Sequence, residues 1–308
     1  MEKVRIPKTN LIVSNICLGT NVFGWSADEP MSKNILSNYL EKGGNFLDSA
    51  DKYVDWVPGN NGGESEVMIG NWLKETGNRE NVVIATKVGK LPARLGLSRA
   101  NIFAAVDDCL RRLQTDYLDI LYAHKDDHGV PMEETLVAFN ELVESGKVRY
   151  LGASNFTAAR LDEAILLSKK LGIASYITIQ NEYNLLHRSE HEIEILPILE
   201  KHGIAAIPFF GLAKGFLTGK YQPNIPSDSI RAETVKIYEN DRNWSIVDNL
   251  TKFAKSKNST NAAIALAWLI SRPGVITPVA SGKNLMQLNE IFQEVNLTTQ
   301  ELDNLTNF

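Results

Sequence analysis

Eight short apolar runs recur along the chain, each followed by a stretch with helical spacing, and this alternation constrains the fold more than any other feature. The candidate strands are 16–19 (ICLG), 45–48 (NFLD), 82–87 (VVIATK), 117–123 (YLDILYA), 149–153 (RYLGA), 176–180 (YITIQ), 203–208 (GIAAIP) and 275–279 (VITPV). Helical patterns occupy 32–42, 65–75, 99–113, 133–145, 157–171, 189–201 and 261–271, with 285–293 after the last strand. Ser98 and Pro131-Met132-Glu133 mark helix starts, and Gly77, Gly146, Gly172 and Gly203 stand where helices should stop. Runs this apolar suit strands buried on both faces, as in a parallel sheet covered by helices. Eight repeats in 308 residues favour a closed α/β architecture, a (β/α)8 TIM barrel, over an open doubly wound sheet. Three additions are expected: an N-terminal β-hairpin around Lys8-Thr9-Asn10, an insertion at 210–258 between strands seven and eight, and a C-terminal helix near 298–307. No linker or low-complexity segment divides the sequence, so one domain over 1–308 is expected.

Composition narrows the partners. The net charge of −5, with both signs interspersed, offers neither a basic stripe for nucleic acid nor a polybasic segment for a membrane. Cys17 and Cys109 read as reduced core thiols. The N-terminal MEKVRIPKTN lacks the apolar run of a signal peptide, and a cytoplasmic location is expected. The oligomeric state is left open.

In barrels of this kind chemistry sits at the C-terminal ends of the strands. The strand ends here carry Asp48 and Tyr53 after strand two, Lys87 at the end of strand three and His124 after strand four. Ser154-Asn155 follow strand five, Gln180 ends strand six, Phe209-Phe210 follow strand seven and Ser281-Gly282-Lys283 follow strand eight. Taken singly, Asp48 has a plain reading as a solvated loop acid, Lys87 as a strand cap and His124 as a satisfied loop histidine. Together they suit carbonyl reduction. A lysine charged beside a carboxylate lowers the pKa of a nearby phenol, which then donates a proton near neutral pH. A histidine at the same mouth orients and polarises the carbonyl. Tyr53 is thus expected to be the acid, Lys87 the tuning cation, Asp48 its anchor and His124 the carbonyl-orienting donor.

At these residues the chain resembles the aldo-keto reductases, nearly end to end. FLDSADKY resembles the family's Asp-x-x-x-x-Tyr signature, VVIATK its lysine strand and YLDILYAH its histidine strand; VRYLGASNF and IQNEYNLLHR resemble the segments that hold the nicotinamide amide. GLAKGFLTGKY and PVASGKNLMQL resemble the dinucleotide-binding loops, and WVPGNNGGESE with VASGK suggests a bacterial general branch. The resemblance implies NADPH as cofactor and a small-molecule carbonyl as substrate. It implies Asp48, Tyr53, Lys87 and His124 as the catalytic tetrad, with Ser154, Asn155 and Gln180 on the carboxamide. Phe209, beside Phe210, would stack on the nicotinamide, with Gly19, Thr20 and Asn21 lining the same pocket. Leu212, Ala213, Lys214, Gly215, Leu217 and Lys220 would form the pyrophosphate loop. Ser281, Gly282, Lys283 and Gln287 would lie at the adenosine end, Lys283 standing as a point charge where relatives use Arg for a 2′-phosphate. Trp25, Trp56, Val57, Asp126 and Tyr183-Asn184 are candidates for the substrate wall.

Other readings have weaker support. GFLTGKY has three residues between its glycines where a P-loop has four, and Tyr221 replaces the Ser or Thr that would hold magnesium. No Gly-x-Gly-x-x-Gly occurs, so a Rossmann mode is unsupported. His124 and His128 suggest a metal-dependent hydrolase, but His-x-His at the end of the first strand is missing and no metal is expected. A cofactor-binding regulatory barrel with little turnover, or a sugar or polyol dehydrogenase running in the oxidative direction, stand as alternatives within the same fold.

Overall fold

Side-chain parity along the strands explains how the chain closes on itself. The computed structural model describes residues 1–308. Its strands, in chain order, are β1 (Lys3–Arg5), β2 (Ile12–Ser14), β3 (Cys17–Gly19), β4 (Phe46–Asp48), β5 (Val83–Val88), β6 (Lys90–Leu91), β7 (Arg94–Leu95), β8 (Leu118–Ala123), β9 (Val148–Ser154), β10 (Tyr176–Gln180), β11 (Ala205–Ala206) and β12 (Val279–Ala280). Strands β1 and β2 form the expected antiparallel hairpin. Eight others make one parallel sheet in the order β11-β10-β9-β8-β5-β4-β3-β12. Its two ends meet. Ala206 bridges Val275 in parallel, Ile276 N–H donates to the Ala206 carbonyl at 2.9 Å, and Val279 N–H donates to that of Pro208 at 2.8 Å. The sheet is therefore a (β/α)8 barrel.

Successive residues of a strand point to opposite faces. Leu18, Leu47, Ile84, Leu121, Leu151 and Ile179 join the large apolar layer between sheet and helices. Cys17, Phe46, Ala85, Tyr122, Ile207 and Val279 share a smaller cluster that fills the barrel. Strands buried throughout, such as β4, β5, β8 and β10, need both layers, which is why they read as continuous apolar runs.

The helices are α1 (Glu29–Glu41), α2 (Glu64–Thr76), α3 (Arg99–Leu113), α4 (Met132–Glu144), α5 (Ala158–Leu171), α6 (Leu196–His202), α7 (Ala232–Val235), α8 (Asp241–Ser256), α9 (Asn261–Ile270), α10 (Leu285–Ile291) and α11 (Thr299–Thr306). Ser98 and Thr157 cap α3 and α5, each hydroxyl accepting a first-turn N–H; Gly77, Gly172 and Gly203 close α2, α5 and α6 in the left-handed region. The single helix expected over 189–201 starts as a π-helical turn, Glu190–Ile195, before α6. Pro197, with no N–H to give the preceding turn, lies at that change of winding. The eighth strand begins later than expected, because Pro278 cannot donate to a neighbouring strand and only 279–280 pair fully. The segment read as an insertion contains the amphipathic α8, whose Ile246, Val247 and Leu250 pack with Trp268 of α9 in a second core. No helix is long and apolar enough to cross a membrane. Cys17 and Cys109 are buried and unpaired.

Candidate active site

One step of two residues separates the barrel's core from its mouth. From Phe46, Ala85 and Tyr122 inside the barrel, the next inward positions are Asp48, Lys87 and His124. Gly152 and Thr178 share that interior layer: a side-chain carbon on Gly152 would lie 2.3 Å from the Tyr122 ring and 2.9 Å from Thr178 Oγ1. Two residues on stand Ser154 and Gln180. The same step leads from Ile207 to Phe209 and from Val279 to Ser281. Strand periodicity alone thus delivers acid, amine, imidazole, hydroxyl, amide and aromatic ring to one layer.

The centre of that layer is an ionic cluster. Lys87 Nζ donates to Asp48 Oδ2 at 2.6 Å, to the Ser49 carbonyl at 2.8 Å and to the Tyr53 hydroxyl oxygen at 2.8 Å. The lysine and aspartate side chains are each 1% exposed. The Tyr53 hydroxyl also lies 3.2 Å from Asp48 Oδ2, and Gln180 Nε2 donates to Asp48 Oδ1 at 2.8 Å. Asp48 therefore fixes three groups at once. Ser154 Oγ donates to the Gln180 carbonyl, while Asn155 Nδ2 donates to the His124 carbonyl and lies 2.9 Å from Ser154 Oγ. Asn155 holds φ 56°, a left-handed conformation that asparagine tolerates and that turns the chain sharply after β9.

The electrostatics correct one expectation. Burial, followed by the Asp48 carboxylate, pushes the Tyr53 phenol well above its ordinary range, the opposite of the lowering expected from Lys87. Asp48, 3.2 Å from the same hydroxyl, opposes in the resting site the effect of the lysine that donates to it. Tyr53 consequently keeps its proton across the neutral range. Burial, and after it Lys87, Lys90 and Lys52, holds His124 well below the ordinary histidine range, so its ring is neutral. Its Nδ1 is buried without a partner, leaving Nε2 as the nitrogen toward the cavity.

These groups floor a cavity of about 800 Å3 that runs from Trp56, Tyr53 and His124 past Asn155, Gln180 and Phe209 to Lys283 and Gln287. Gly19, Asn21, Ser154, Phe210, Leu212, Lys214, Gly215, Lys220 and Ser281 also border it. Asp48 lies behind Lys87 and Tyr53. Thr20, Ala213, Leu217 and Gly282 lie off the wall: Thr20 Oγ1 donates to the Asp48 carbonyl, and Ala213 and Leu217 pack into the second core. Trp25 stands behind Trp56, ring centroids 5.6 Å apart in an edge-on contact, and Trp56 in turn lies 6.4 Å from Tyr53. Tyr183 and Asn184 are buried away from the cavity, and Asp126 is held by Arg160 at 2.6 Å. Val57 is not on the wall either. No three His, Cys, Asp or Glu side chains gather as metal ligands would.

The far half of the cavity suits a long anionic ligand. Phe210, Ala213, Lys214 and Gly215 all have positive φ, and the loop after β11 folds tightly on itself, Ala213 N–H donating to the Phe210 carbonyl and Gly215 N–H to that of Leu212, with Lys214 and Lys220 on the cavity wall. Gly215, at φ 99°, has the Lys220 ammonium 3.4 Å from where a Cβ would sit. Ser281 Oγ donates to Asn21 Oδ1 at 2.8 Å, tying the last loop to the first. Sequence reasoning missed Arg231, whose guanidinium borders the cavity, stacks 5.3 Å from the Trp25 ring centroid and has no carboxylate partner. It also missed Lys52, Lys90 and Ser26, which border the same cavity. An unpartnered arginine in a loop leaves no periodic trace in a sequence.

The profile of the Aldo/keto reductase family matches residues 15–308. A probable voltage-gated potassium channel subunit beta of Arabidopsis thaliana is 34% identical over 310 residues, covering 96% of this chain and 92% of that protein. An uncharacterised oxidoreductase of Bacillus subtilis is 32% identical over 308 residues, covering 97% of this chain and 92% of its own. A putative voltage-gated potassium channel subunit beta of Schizosaccharomyces pombe is 32% identical over 302 residues, covering 92% and 85%.

Proposed function

Because the chain belongs to the aldo/keto reductase family, we propose that it reduces the carbonyl of an aldehyde or ketone to an alcohol with NADPH, Tyr53 acting as general acid. The observation that carries this reading is the cluster of Tyr53 hydroxyl, Lys87 ammonium and Asp48 carboxylate, no two partners more than 3.2 Å apart, beside the neutral His124. When bound, the nicotinamide supplies the hydride that reaches the carbonyl carbon.

The chain's own residues do the rest. His124 Nε2–H and the Tyr53 hydroxyl converge on the carbonyl oxygen as donors. As charge develops there, the phenol gives up its proton, and Lys87 at 2.8 Å stabilises the oxygen left behind. Asp48 holds Lys87 in place through that change. A phenol held protonated is poised to act as the acid of reduction; in the oxidative direction the same group would act as the base. Asn155, Ser154 and Gln180 are the polar groups available to orient a planar amide above this layer, with Phe209 beside them. Lys214, Lys220, Arg231 and Lys283 are the cations available to phosphates. A cytoplasmic enzyme acting on small carbonyl compounds is the setting this implies.

A regulatory role, with cofactor bound and little turnover, draws its support from the two relatives named as channel β subunits. Tyr53→Phe separates the readings. It keeps the ring and removes the transferable proton, so kcat for an aldehyde panel should fall by roughly 10²–10⁴-fold while NADPH binding, followed by fluorescence, persists. Unchanged turnover would remove Tyr53 from its role. Tight NADPH binding by the parent protein with no oxidation across the panel would favour the regulatory reading.

A further inference from the structure

The substrate end of the cavity carries ammonium groups that proton transfer does not use. Lys52 and Lys90 both border the cavity beside Tyr53, Trp56 and His124. Lys90 makes no ion pair and no side-chain hydrogen bond within the chain, and the only carboxylate near Lys52 is Asp55, at 3.4 Å. Lys125, on the loop after β8, is close enough for its charge to act on Lys90. Two ammonium groups on the wall thus share one nearby carboxylate, Asp55, whose charge reaches Lys90 as well. Of the other acids on the wall, Glu182, two residues past β10, accepts from Tyr238 at 2.5 Å and from Asn184 at 3.2 Å, and Glu290 belongs to α10, at the Lys283 and Gln287 end.

Lys90 is also held in position. It opens the β6–β7 hairpin, paired Lys90 to Leu95 and Leu91 to Arg94, directly after the strand that carries Lys87. Asn101 Nδ2 donates to the Arg94 and Gly96 carbonyls, and Asp127 Oδ2 accepts from Leu97 N–H at 2.8 Å, pinning the hairpin's far end. Its inner side is seated on the loop before α2, where a Cβ on Gly62 would fall 2.6 Å from Leu91 Cδ1. Burial, then the repulsion of Lys52 and Lys125, lowers the Lys90 pKa. A partly desolvated cation without an acceptor, mounted on a braced hairpin at the substrate mouth, is a site left incomplete until an anion arrives.

We propose that the carbonyl compound accepted here carries an anionic group, a carboxylate or a phosphate, which Lys90, seconded by Lys52, binds while the carbonyl lies at Tyr53 and His124. The proposal rests on the reductase reading of the same cavity and names the class of its substrate.

The test compares matched pairs differing in charge: 4-formylbenzoate against its methyl ester, and glyceraldehyde 3-phosphate against glyceraldehyde. The parent protein should prefer the charged member in kcat/KM by about tenfold to a hundredfold, the range of one charge-assisted hydrogen bond. In Lys90→Gln that ratio should collapse toward one, chiefly through KM of the anion, and Lys90→Arg should restore much of it. Whichever pair shows the larger ratio identifies the group as carboxylate or phosphate. Benzoate binding, titrated through tryptophan fluorescence without turnover, should weaken by about tenfold or more in Lys90→Gln. No charge preference in the parent protein, or a preference that survives Lys90→Gln, overturns the proposal and leaves the Tyr53 assignment standing. Lys90-dependent benzoate binding in a protein that reduces no carbonyl would keep the anion site and refute the reduction.

Discussion

Lys87→Met asks the most of the site as described. The substitution keeps a long unbranched side chain and removes the charge from a position 1% exposed. Asp48 then loses its 2.6 Å partner inside the barrel, the Ser49 carbonyl loses a 2.8 Å donor, and the Tyr53 oxygen loses another. Breaking a buried ion pair from one side costs about 3–5 kcal/mol, because the remaining charge stays desolvated. Against a total stability of about 5–15 kcal/mol, that is a large fraction. The carboxylate should be the cause, so Lys87→Met combined with Asp48→Asn should recover about 1–3 kcal/mol of the loss, the coupling expected of side chains in direct contact. Urea denaturation of the parent, both single variants and the double variant closes the cycle. A loss below about 1 kcal/mol for Lys87→Met, or a double variant no more stable than it, would refute a buried Asp48–Lys87 pair. Reductase turnover should be low in all three variants, so recovered stability without recovered turnover would separate the fold's use of the pair from the chemistry's.

Two further outcomes follow from neighbouring features. Asp51 is 1% exposed, and burial followed by Glu66 raises its pKa to about 7. A raised acid contributes stability that is fully present below its unfolded value near 3.8 and is lost as pH rises through about 7, up to ~4 kcal/mol for a shift of this size. Thermal unfolding between pH 5 and 8 should therefore show a falling contribution that Asp51→Asn removes; an identical pH slope in the variant would dismiss it. Gly215→Ala places a side chain at φ 99°, a strain of roughly 1–2 kcal/mol in the loop. NADPH affinity, measured by fluorescence titration, should fall while the thermal midpoint moves little, and unaltered affinity would take this loop out of the cofactor's path.

Much of the site is readable because it obeys the strand period. Asp48, Lys87, His124, Ser154, Gln180 and Phe209 each follow an interior position by two residues, so placing the strands also places the chemistry. Helix α3 appears over the expected residues because Ser98 and a regular apolar face bound it. Sequence reasoning fails where structure is short or non-periodic. The β6–β7 hairpin has two residues per strand, too few for any alternation to register, and it brings Lys90 to the cavity. In α8 the spacing of Ile246, Val247, Leu250 and Ala254 was legible but lay inside a stretch read whole as an insertion. The Tyr53 expectation failed for another reason. Which influence prevails over a phenol depends on its burial and on how close a carboxylate comes to it, and neither is written in the order of residues.

The seam where the barrel closes joins its two shortest parallel strands, β11 and β12, through little more than an isolated bridge and a few backbone hydrogen bonds. On the other side of the barrel β8 and β9 share a ladder of five residue pairs. The loops that leave this seam, Phe209–Lys220 on one side and Ser281–Gln287 on the other, are the same ones that border the far half of the cavity. A ligand lying across both would act as a clasp on the barrel, joining by its own length what the chain joins only sparingly. Its binding and the cohesion of the cylinder would then be two readings of one free energy, each tightening as the other does.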